Sequence, residues 1–156
     1  MRTWKLPADV DTDQLAPGHA MKHGLEVIAR HCLERVRPEF ASQVKRGDAI
    51  VAGPNFGIGS SREHVPLAMV GSGIRGVVGR SFARIFYRNS VNLGLAIVAC
   101  PAAADAAHDG SRIAIDPTGV VEVDGVTFDA PAAPPLVLEV GSAGGLVDWT
   151  ASQISG

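Results

Sequence analysis

The stretches AIVAG (residues 49–53), GVVG (76–79) and LAIVA (95–99) decide the fold, because each is a continuous apolar run of strand length. Runs of this kind are typical of strands that are buried on both faces, as in parallel sheets. The segments between them have the length of helices. One runs from about Arg62 to Gly71, and the other follows Ser81, which is placed to cap it. This alternation predicts parallel crossovers and an α/β domain with a parallel core.

The flanking regions are less regular. Residues up to about Gly18 indicate a short strand and a polar turn, and Leu25 to Val36 repeats apolar residues with the helical period. Beyond Pro101 the pattern predicts an irregular segment or short helix, several short strands and a closing helix. In order, these are 102–107, the strands 112–115, 120–123, 126–128 and 136–140, and the helix 144–154. With no internal repeat and no long linker, we expect residues 1–156 to form a single domain.

Composition excludes several classes of function. The formal net charge is -2 from 14 basic and 16 acidic residues, which gives no general reason to bind nucleic acid or an anionic membrane. No run of 18 apolar residues predicts a membrane span, and the first residues lack a signal peptide, so we expect a cytoplasmic protein. Cys32 and Cys100 belong to no CxxC or Cys/His cluster, so no metal site is predicted from this chain. Two buried thiols are preferred over a disulfide.

The chemically most informative segment is GIGSSREH at residues 57–64. Its two glycines allow the backbone to turn tightly and approach a ligand. The helix that follows presents free N–H groups and a positive dipole end, an arrangement that favours a carboxylate or phosphate. Ser60 and Ser61 place two hydroxyls at this point, and Arg62 adds a guanidinium that can bind a carboxylate through two hydrogen bonds.

A purely structural interpretation of the same residues stays open. Ser60 and Glu63 fit the capping-box pattern, in which they would only stabilise the start of the helix. The segment is not a Walker loop, because it lacks the pattern GxxxxGK[ST]. It is not a GxGxxG dinucleotide fingerprint either, because Arg62 occupies the third glycine position. A serine hydrolase is disfavoured, since no G-x-S-x-G motif is present.

Three motifs together resemble the swivelling domain of aconitase-type hydro-lyases, and most of all its form as a separate small subunit. They are NFGIGSSREH (55–64), SFARIFYRN (81–89) followed by NLGL (92–95), and DVDTDQLAP (9–17). They occur in the same order and spacing as in that family and cover well over half of the chain. The resemblance implies a three-layer β/β/α fold and a small subunit of a dehydratase acting on a small hydroxy-dicarboxylic acid. Isomerisation of 3-isopropylmalate in leucine biosynthesis is the preferred activity.

The resemblance also implies the roles of individual residues. Ser60 would remove the proton next to a carboxylate, and Asp13 would act near the leaving hydroxyl. Ser61 and Arg62 would bind a substrate carboxylate. A large partner subunit would carry a [4Fe–4S] cluster with one open iron, and this chain would bind no metal. For Asp13, a plain turn or cap aspartate stays open as an alternative.

The substrate stays open because the sequence departs from the family pattern in the loop after the N-terminal motif. Typical 3-isopropylmalate dehydratases continue the N-terminal motif with Arg-Tyr-Leu, whereas this chain has His19, Met21 and Lys22 in the corresponding loop. Lys22 would suit an additional carboxylate and Met21 an apolar group, so homoaconitate, citramalate and dimethylmalate dehydratases stay open. A carboxylate-binding module without catalysis, and self-association of the isolated chain, stay open as well.

Two further expectations concern the helix after Ser81. Phe82, Ile85 and Phe86 are expected in the core. Arg80, Arg84 and Arg88, at i, i+4 and i+8, are expected to form one basic stripe, solvated or in contact with the partner chain.

Overall fold

A computed structural model describes residues 1–16, 23–59, 64–116, 118–131 and 146–155. The first half contains strand β1 (Thr3–Lys5), helices α1 (Thr12–Leu15), α2 (Leu25–His31) and α3 (Phe40–Gln43), and strand β2 (Ala49–Ala52). Helix α4 (His64–Gly71), strand β3 (Gly76–Gly79), helix α5 (Arg84–Asn92), strand β4 (Ala96–Ala99) and helix α6 (Pro101–Ala106) follow. Strands β5 (Ile113–Asp116), β6 (Val120–Val123) and β7 (Val126–Asp129) and helix α7 (Leu146–Ser155) complete the described chain.

The first four strands form one parallel sheet in the order β1-β2-β3-β4, as the apolar runs predicted. Its register places Trp4, Ile50, Val77 and Ile97 in one row across the sheet. Because successive side chains of a strand point to opposite faces, this row faces one side only. All four side chains are buried in a cluster to which each of the helices α1 to α5 contributes apolar residues.

The opposite face of the parallel sheet packs against a different layer. Val51 and Val78 lie in a second buried cluster with alanines of α6 and with Ile113, Val121 and Val123 of the antiparallel sheet β5-β6-β7. The chain is therefore built from helices, a parallel sheet and a second sheet. This arrangement confirms the predicted three-layer β/β/α fold.

Helix α2 is shorter than the sequence pattern indicated. The apolar period continues to Val36, but the helix ends at His31 and Leu33 adopts a left-handed φ of 60°. Leu33 is fully buried, and its N–H donates to the carbonyl oxygen of Gln14 at 2.9 Å. A tertiary contact thus replaces the next turn of the helix, and the apolar residues beyond it are buried without being helical.

The predictions for helix α5 also need correction. Its N-cap is Ala83, so Ser81 does not cap it, and Arg80 precedes the helix and pairs instead with Asp105. The basic stripe is therefore reduced to Arg84 and Arg88, both exposed. Phe86 is buried, whereas Ile85 is 49% exposed and does not belong to the core.

Contacts of Trp4 stabilise the edge strand β1 of the parallel sheet. Its ring packs edge-on against Phe40, with centroids 5.1 Å apart, and the guanidinium groups of Arg2 and Arg37 lie over it. The Trp4 indole N–H and the Arg2 guanidinium both donate to Oδ2 of Asp48 at 3.0 Å. Burial alone would raise the pKa of Asp48. These two hydrogen bonds and a third from the Lys45 N–H hold the pKa below its usual value.

The remaining secondary-structure predictions are largely confirmed. Residues 101–106 form a helix, the strands at 112–115, 120–123 and 126–128 appear within a residue or two, and the closing helix lies at 146–155. The strand predicted at 136–140 lies outside the described residues, and the single-domain assignment of 1–156 stays a prediction. In the parts of the chain that the structure describes, no helix has both the length and the apolar character needed to cross a bilayer.

Candidate functional site

The candidate site lies at the carboxyl ends of the parallel strands, the edge at which open α/β sheets bind ligands. Beyond β1, β2 and β3, the chain continues as three segments, residues 9–12, 54–58 and 81–83, which lie side by side in the same order. The Gly57 N–H donates to the Val10 carbonyl oxygen at 2.8 Å, and the Thr12 N–H donates to the Ile58 carbonyl oxygen at 2.8 Å. The middle segment thus pairs with the N-terminal one.

The middle segment is held on its other side by the segment after β3. The Phe56 N–H donates to the Ser81 carbonyl oxygen at 3.2 Å, and the Ala83 N–H donates to the Phe56 carbonyl oxygen at 3.0 Å. Phe56 and Phe82 form a parallel bridge. All three sequence motifs therefore meet at one edge of the sheet, although they lie some 25 to 75 residues apart in the chain.

Two glycines are required where the segments come close. A Cβ atom on Gly57, whose φ is 86°, would lie 2.3 Å from Cγ of Phe86. A Cβ atom on Gly59, whose φ is 109°, would lie 2.8 Å from Oγ1 of Thr12. The close approach that the sequence predicted for these glycines is therefore to the protein's own helices. It brings the loop against α1 and α5.

An aromatic cluster supports the loop from below. The ring centroids of Phe56 and Phe86 are 5.1 Å apart at an angle of 78°, and Phe82 stacks on Phe86 with centroids 6.3 Å apart. Phe56 and Phe86 are buried. Edge-to-face contacts of this kind fix ring positions as well as burying apolar area, so the base of the loop rests on a rigid surface.

Asp13 lies in the first turn of the short helix α1, and it is exposed. Asp11 forms a full capping box with Gln14: its Oδ1 accepts from the Gln14 N–H at 2.8 Å, and the Gln14 side chain accepts from the Asp11 N–H at 2.9 Å. The predicted polar turn is therefore a capped helix. Asp11 has a structural role, and Asp13 lies in the same turn, next to Thr12, whose N–H bonds to Ile58 of the loop.

Several predicted site residues lie outside the described residues: Ser60, Ser61, Arg62, His19, Met21 and Lys22. Their proposed roles stay predictions. The structure does describe what borders them: Gly59 precedes Ser60 in sequence, and helix α4 follows. Helix α4 packs against α1, the helix that carries Asp13, and against α2.

Sequence reasoning missed one set of interactions. Asn55 donates from Nδ2 to Oδ1 of Asp9 at 3.0 Å, and its N–H donates to Oγ of Ser81 at 2.9 Å. Asn55 and Asp9 both have left-handed φ values, 60° and 57°. Asn is a common turn residue because it tolerates the left-handed backbone, but the partners of Asn55, 26 and 46 residues away, are not visible in the sequence.

The two cysteines are free and buried, as predicted. Cys32 belongs to the cluster on the helix side of the parallel sheet, and Cys100 to the cluster on the other side. Burial raises the pKa of Cys32 to about 12, which disfavours the thiolate that metals bind. Among the described residues, no group of three or more His, Cys, Asp or Glu side chains is arranged to hold a metal ion.

One face of α5 is exposed beside the site. Arg84, Ile85 and Arg88 are exposed on it. Within the described ranges, neither arginine has a carboxylate at salt-bridge distance. We call these three residues the α5 face. Exposed arginines around an exposed isoleucine are a composition found in protein–protein interfaces, which are enriched in Arg.

Comparison with known proteins agrees with this architecture. Residues 27–103 match the model of the aconitase C-terminal domain. The 3-isopropylmalate dehydratase small subunit 1 of Methanopyrus kandleri is 47% identical over 151 residues, which cover 94% of this chain and 89% of that protein. The corresponding small subunit of Methanosarcina mazei is 42% identical over 158 residues, covering 99% and 97%.

A solved structure extends the likeness to the fold. The crystal structure of a 3-isopropylmalate dehydratase from Methanocaldococcus jannaschii superimposes with a TM-score of 0.90 at 37% identity, and the match covers 98% of this chain and 93% of that chain. Sequence and structure thus agree over nearly the whole length. The chain belongs to the family of 3-isopropylmalate dehydratase small subunits, which carry the aconitase C-terminal domain.

Proposed function

We propose that this chain is the small subunit of a hydro-lyase that isomerises 3-isopropylmalate in leucine biosynthesis, and that it is active only with a large iron–sulfur subunit. The observation that supports this most is the meeting of three motif segments at the carboxyl ends of β1, β2 and β3. Ser60 lies two residues after the middle segment in sequence, and Asp13 directly follows the N-terminal one. The two candidate catalytic residues therefore follow two segments that are hydrogen-bonded to each other.

Ser60 is assigned as the base that removes the proton from the carbon next to a substrate carboxylate. A serine hydroxyl is a weak base, so its alkoxide must be stabilised by nearby positive charge and hydrogen-bond donors. Arg62 supplies a permanent positive charge two residues later in the sequence. Ser61 and Arg62 are assigned to the substrate carboxylate, which a guanidinium binds with two parallel hydrogen bonds.

Asp13 is assigned to the leaving hydroxyl, beside groups of the partner chain. Its exposure in the first turn of α1 supports this role, because an acid at a shared site must remain accessible until the partner docks. The capping box formed by Asp11 and Gln14 holds that turn in place. Asp11 is thus assigned a structural role and Asp13 a catalytic one.

The iron–sulfur cluster is assigned to the partner. Such clusters are held by cysteine thiolates, and the only two cysteines of this chain are buried on opposite sides of the parallel sheet. These residues do not fit a cluster. When bound, the cluster supplies a Lewis acid toward the substrate's hydroxyl and carboxylate. Two free thiols are consistent with a reducing compartment, and we place the complex in the cytoplasm.

The loop that carries His19, Met21 and Lys22 is assigned to substrate choice. Its composition leaves two chemistries open. An apolar contact from Met21 suits the isopropyl group of 3-isopropylmalate, whereas the ammonium of Lys22 suits a third carboxylate. The names of the relatives favour 3-isopropylmalate, and a substrate panel separates the two.

The test is anaerobic reconstitution with the large subunit encoded in the same organism, followed by hydration assays on a panel of unsaturated di- and tricarboxylic acids. Ser60→Ala should lower kcat by at least about 100-fold, the usual contribution of a general base, without changing subunit affinity or thermal stability. Ser42→Ala serves as the matched control, because Ser42 is exposed and lies on α3. A wild-type complex without turnover would refute the proposed function, and an active Ser60→Ala complex would refute the assignment of the base.

A further inference from the structure

Asn55 is the residue whose polar groups join all three segments of the candidate site. Its backbone N–H donates to Oγ of Ser81 in the segment after β3, at 2.9 Å. Its side-chain Nδ2 donates to Oδ1 of Asp9 in the segment after β1, at 3.0 Å. In addition, the Asp9 N–H donates to the Pro54 carbonyl oxygen at 2.9 Å. We call the Asn55–Asp9 pair the clasp.

The backbone of the clasp is shaped for these bonds. Both residues adopt left-handed φ values, 60° for Asn55 and 57° for Asp9. This region is costly for most side chains, but Asn and Asp tolerate it better than others. Both side chains are exposed, so neither contributes to the core. A polar bond at the surface adds little to the stability of the fold.

What the clasp does fix is the relation between two segments. Asn55 lies five residues before Ser60, and Asp9 lies four residues before Asp13. Directly beyond the clasp are the paired backbone bonds from Gly57 to Val10 and from Thr12 to Ile58. A slip in this pairing would move the residues that follow the two segments relative to each other. The clasp prevents such a slip at the first pair.

We propose that Asn55 is a positioning residue: through its bond to Asp9 it sets the register of the loop leading to Ser60 against the helix that carries Asp13. The inference rests on the proposed function and goes beyond it, because neither clasp residue is assigned to contact substrate. A displacement of about 1 Å between catalytic groups lowers rates by about 100-fold. The clasp therefore acts on kcat more than on folding.

The test exchanges the side chains of Asn55 and Asp9, first singly and then together. Asn55→Asp places two carboxylates against each other and breaks the bond, whereas Asp9→Asn keeps a carbonyl oxygen that accepts from Asn55. The double variant, Asn55→Asp with Asp9→Asn, reverses donor and acceptor and restores the bond. All substituted residues tolerate the left-handed backbone, so the series changes the bond without adding backbone strain.

In the reconstituted complex, Asn55→Asp should lower kcat by about 10- to 100-fold, with a smaller change in KM. Asp9→Asn should stay within about threefold of wild type, and the double variant should recover most of the loss, as expected for a coupled pair. Asn92→Asp makes the same chemical change at an exposed residue of α5 and serves as the control. Full activity of Asn55→Asp, or no recovery in the double variant, would overturn the proposal.

A second measurement needs no turnover. Amide hydrogen exchange of the isolated chain should be about fivefold faster at the Gly57 and Thr12 N–H groups in Asn55→Asp and should return toward wild type in the double variant. If the wild-type complex is inactive, the proposed function fails, and unchanged exchange at these two amides then overturns the clasp as well. If the complex is active and the exchange is unchanged, the clasp alone is wrong.

Discussion

Replacing Gly57 by alanine tests whether the candidate loop is held as tightly as the structure indicates. Gly57 is buried, has a φ of 86°, and would place a Cβ atom 2.3 Å from Cγ and 2.5 Å from Cβ of Phe86. These neighbours are not the flexible end of a side chain, and Phe86 is fixed by ring contacts with Phe56 and Phe82. The contact is therefore relieved only by moving the loop or the helix.

The expected cost has two parts. A left-handed backbone with a Cβ atom costs about 1–2 kcal/mol, and overpacking at a rigid site costs about 1–3 kcal/mol. Gly57→Ala should therefore lower the free energy of unfolding by about 2–5 kcal/mol. For a chain of this size, this corresponds to a fall in Tm of about 4–20 °C. Because the loop leads to Ser60, activity of the reconstituted complex should fall as well.

Substitutions at two other glycines separate the cost of the backbone conformation from the cost of overpacking. Gly110 has a φ of 89° with no atom near its added Cβ, so Gly110→Ala should show only the backbone cost of about 1–2 kcal/mol. Gly71 ends helix α4 with open space around it, and Gly71→Ala should stabilise the chain by about 0.5–1 kcal/mol. Urea denaturation of the isolated chain measures all three. If Gly57→Ala is no more destabilising than Gly110→Ala, the close contact with Phe86 does not exist in solution.

Three further predictions follow from other parts of the molecule. Asp48→Asn should lower the free energy of unfolding by about 1–3 kcal/mol at pH 7. Because the pKa of Asp48 is lowered in the folded state, its contribution is present above the unfolded pKa and is lost as pH falls through the folded pKa, so the two denaturation curves should converge in acid. Cys32 and Cys100 are buried, and neither should react with a thiol reagent at pH 8 until the chain unfolds. Arg84→Glu combined with Arg88→Glu should weaken binding of the large subunit by about tenfold or more, mainly through slower association and less so at high salt.

The Asp48 and α5 predictions each have a control variant. Asp129 is exposed and outside the Trp4 network, so Asp129→Asn should leave the free energy of unfolding at pH 7 nearly unchanged. Arg46 is exposed and distant in sequence from the α5 face, so Arg46→Glu should leave subunit affinity nearly unchanged. Arg46→Glu changes the net charge half as much as the α5 double variant, so a loss of binding free energy half as large would show that net charge, and not the α5 face, governs docking. Rapid labelling of Cys32 in the native chain would show that the helix-side core opens more readily than its burial indicates.

Much of the fold was predictable because its signals are local. The runs at 49–53, 76–79 and 95–99 are apolar over the length of a strand, and such runs are typical of a sheet covered on both sides. Turn residues likewise marked the antiparallel strands after residue 110. The glycines of the 57–64 segment predicted a close approach of the backbone, although to a ligand and not to the protein's own helices. The order of three motifs was sufficient to predict the family.

Other features depended on partners distant in the sequence. Helix α2 stops at His31 because the Leu33 N–H bonds to Gln14, and Ser81 accepts from Asn55 and leaves the capping of α5 unfilled. Periodicity placed Ile85 in the core, but the packing of α5 leaves it half exposed.

The sequence by itself thus determined the parallel core, the order of elements and the family, whereas only the tertiary structure decided how the three motif segments join. The physical reason lies in the range of the interactions. Propensity and periodicity act between residues a few positions apart, and the sequence displays them directly. The clasp between Asn55 and Asp9 and the contact of Gly57 with Phe86 join residues 29 to 46 positions apart. They exist only once the sheet has brought its strand ends together.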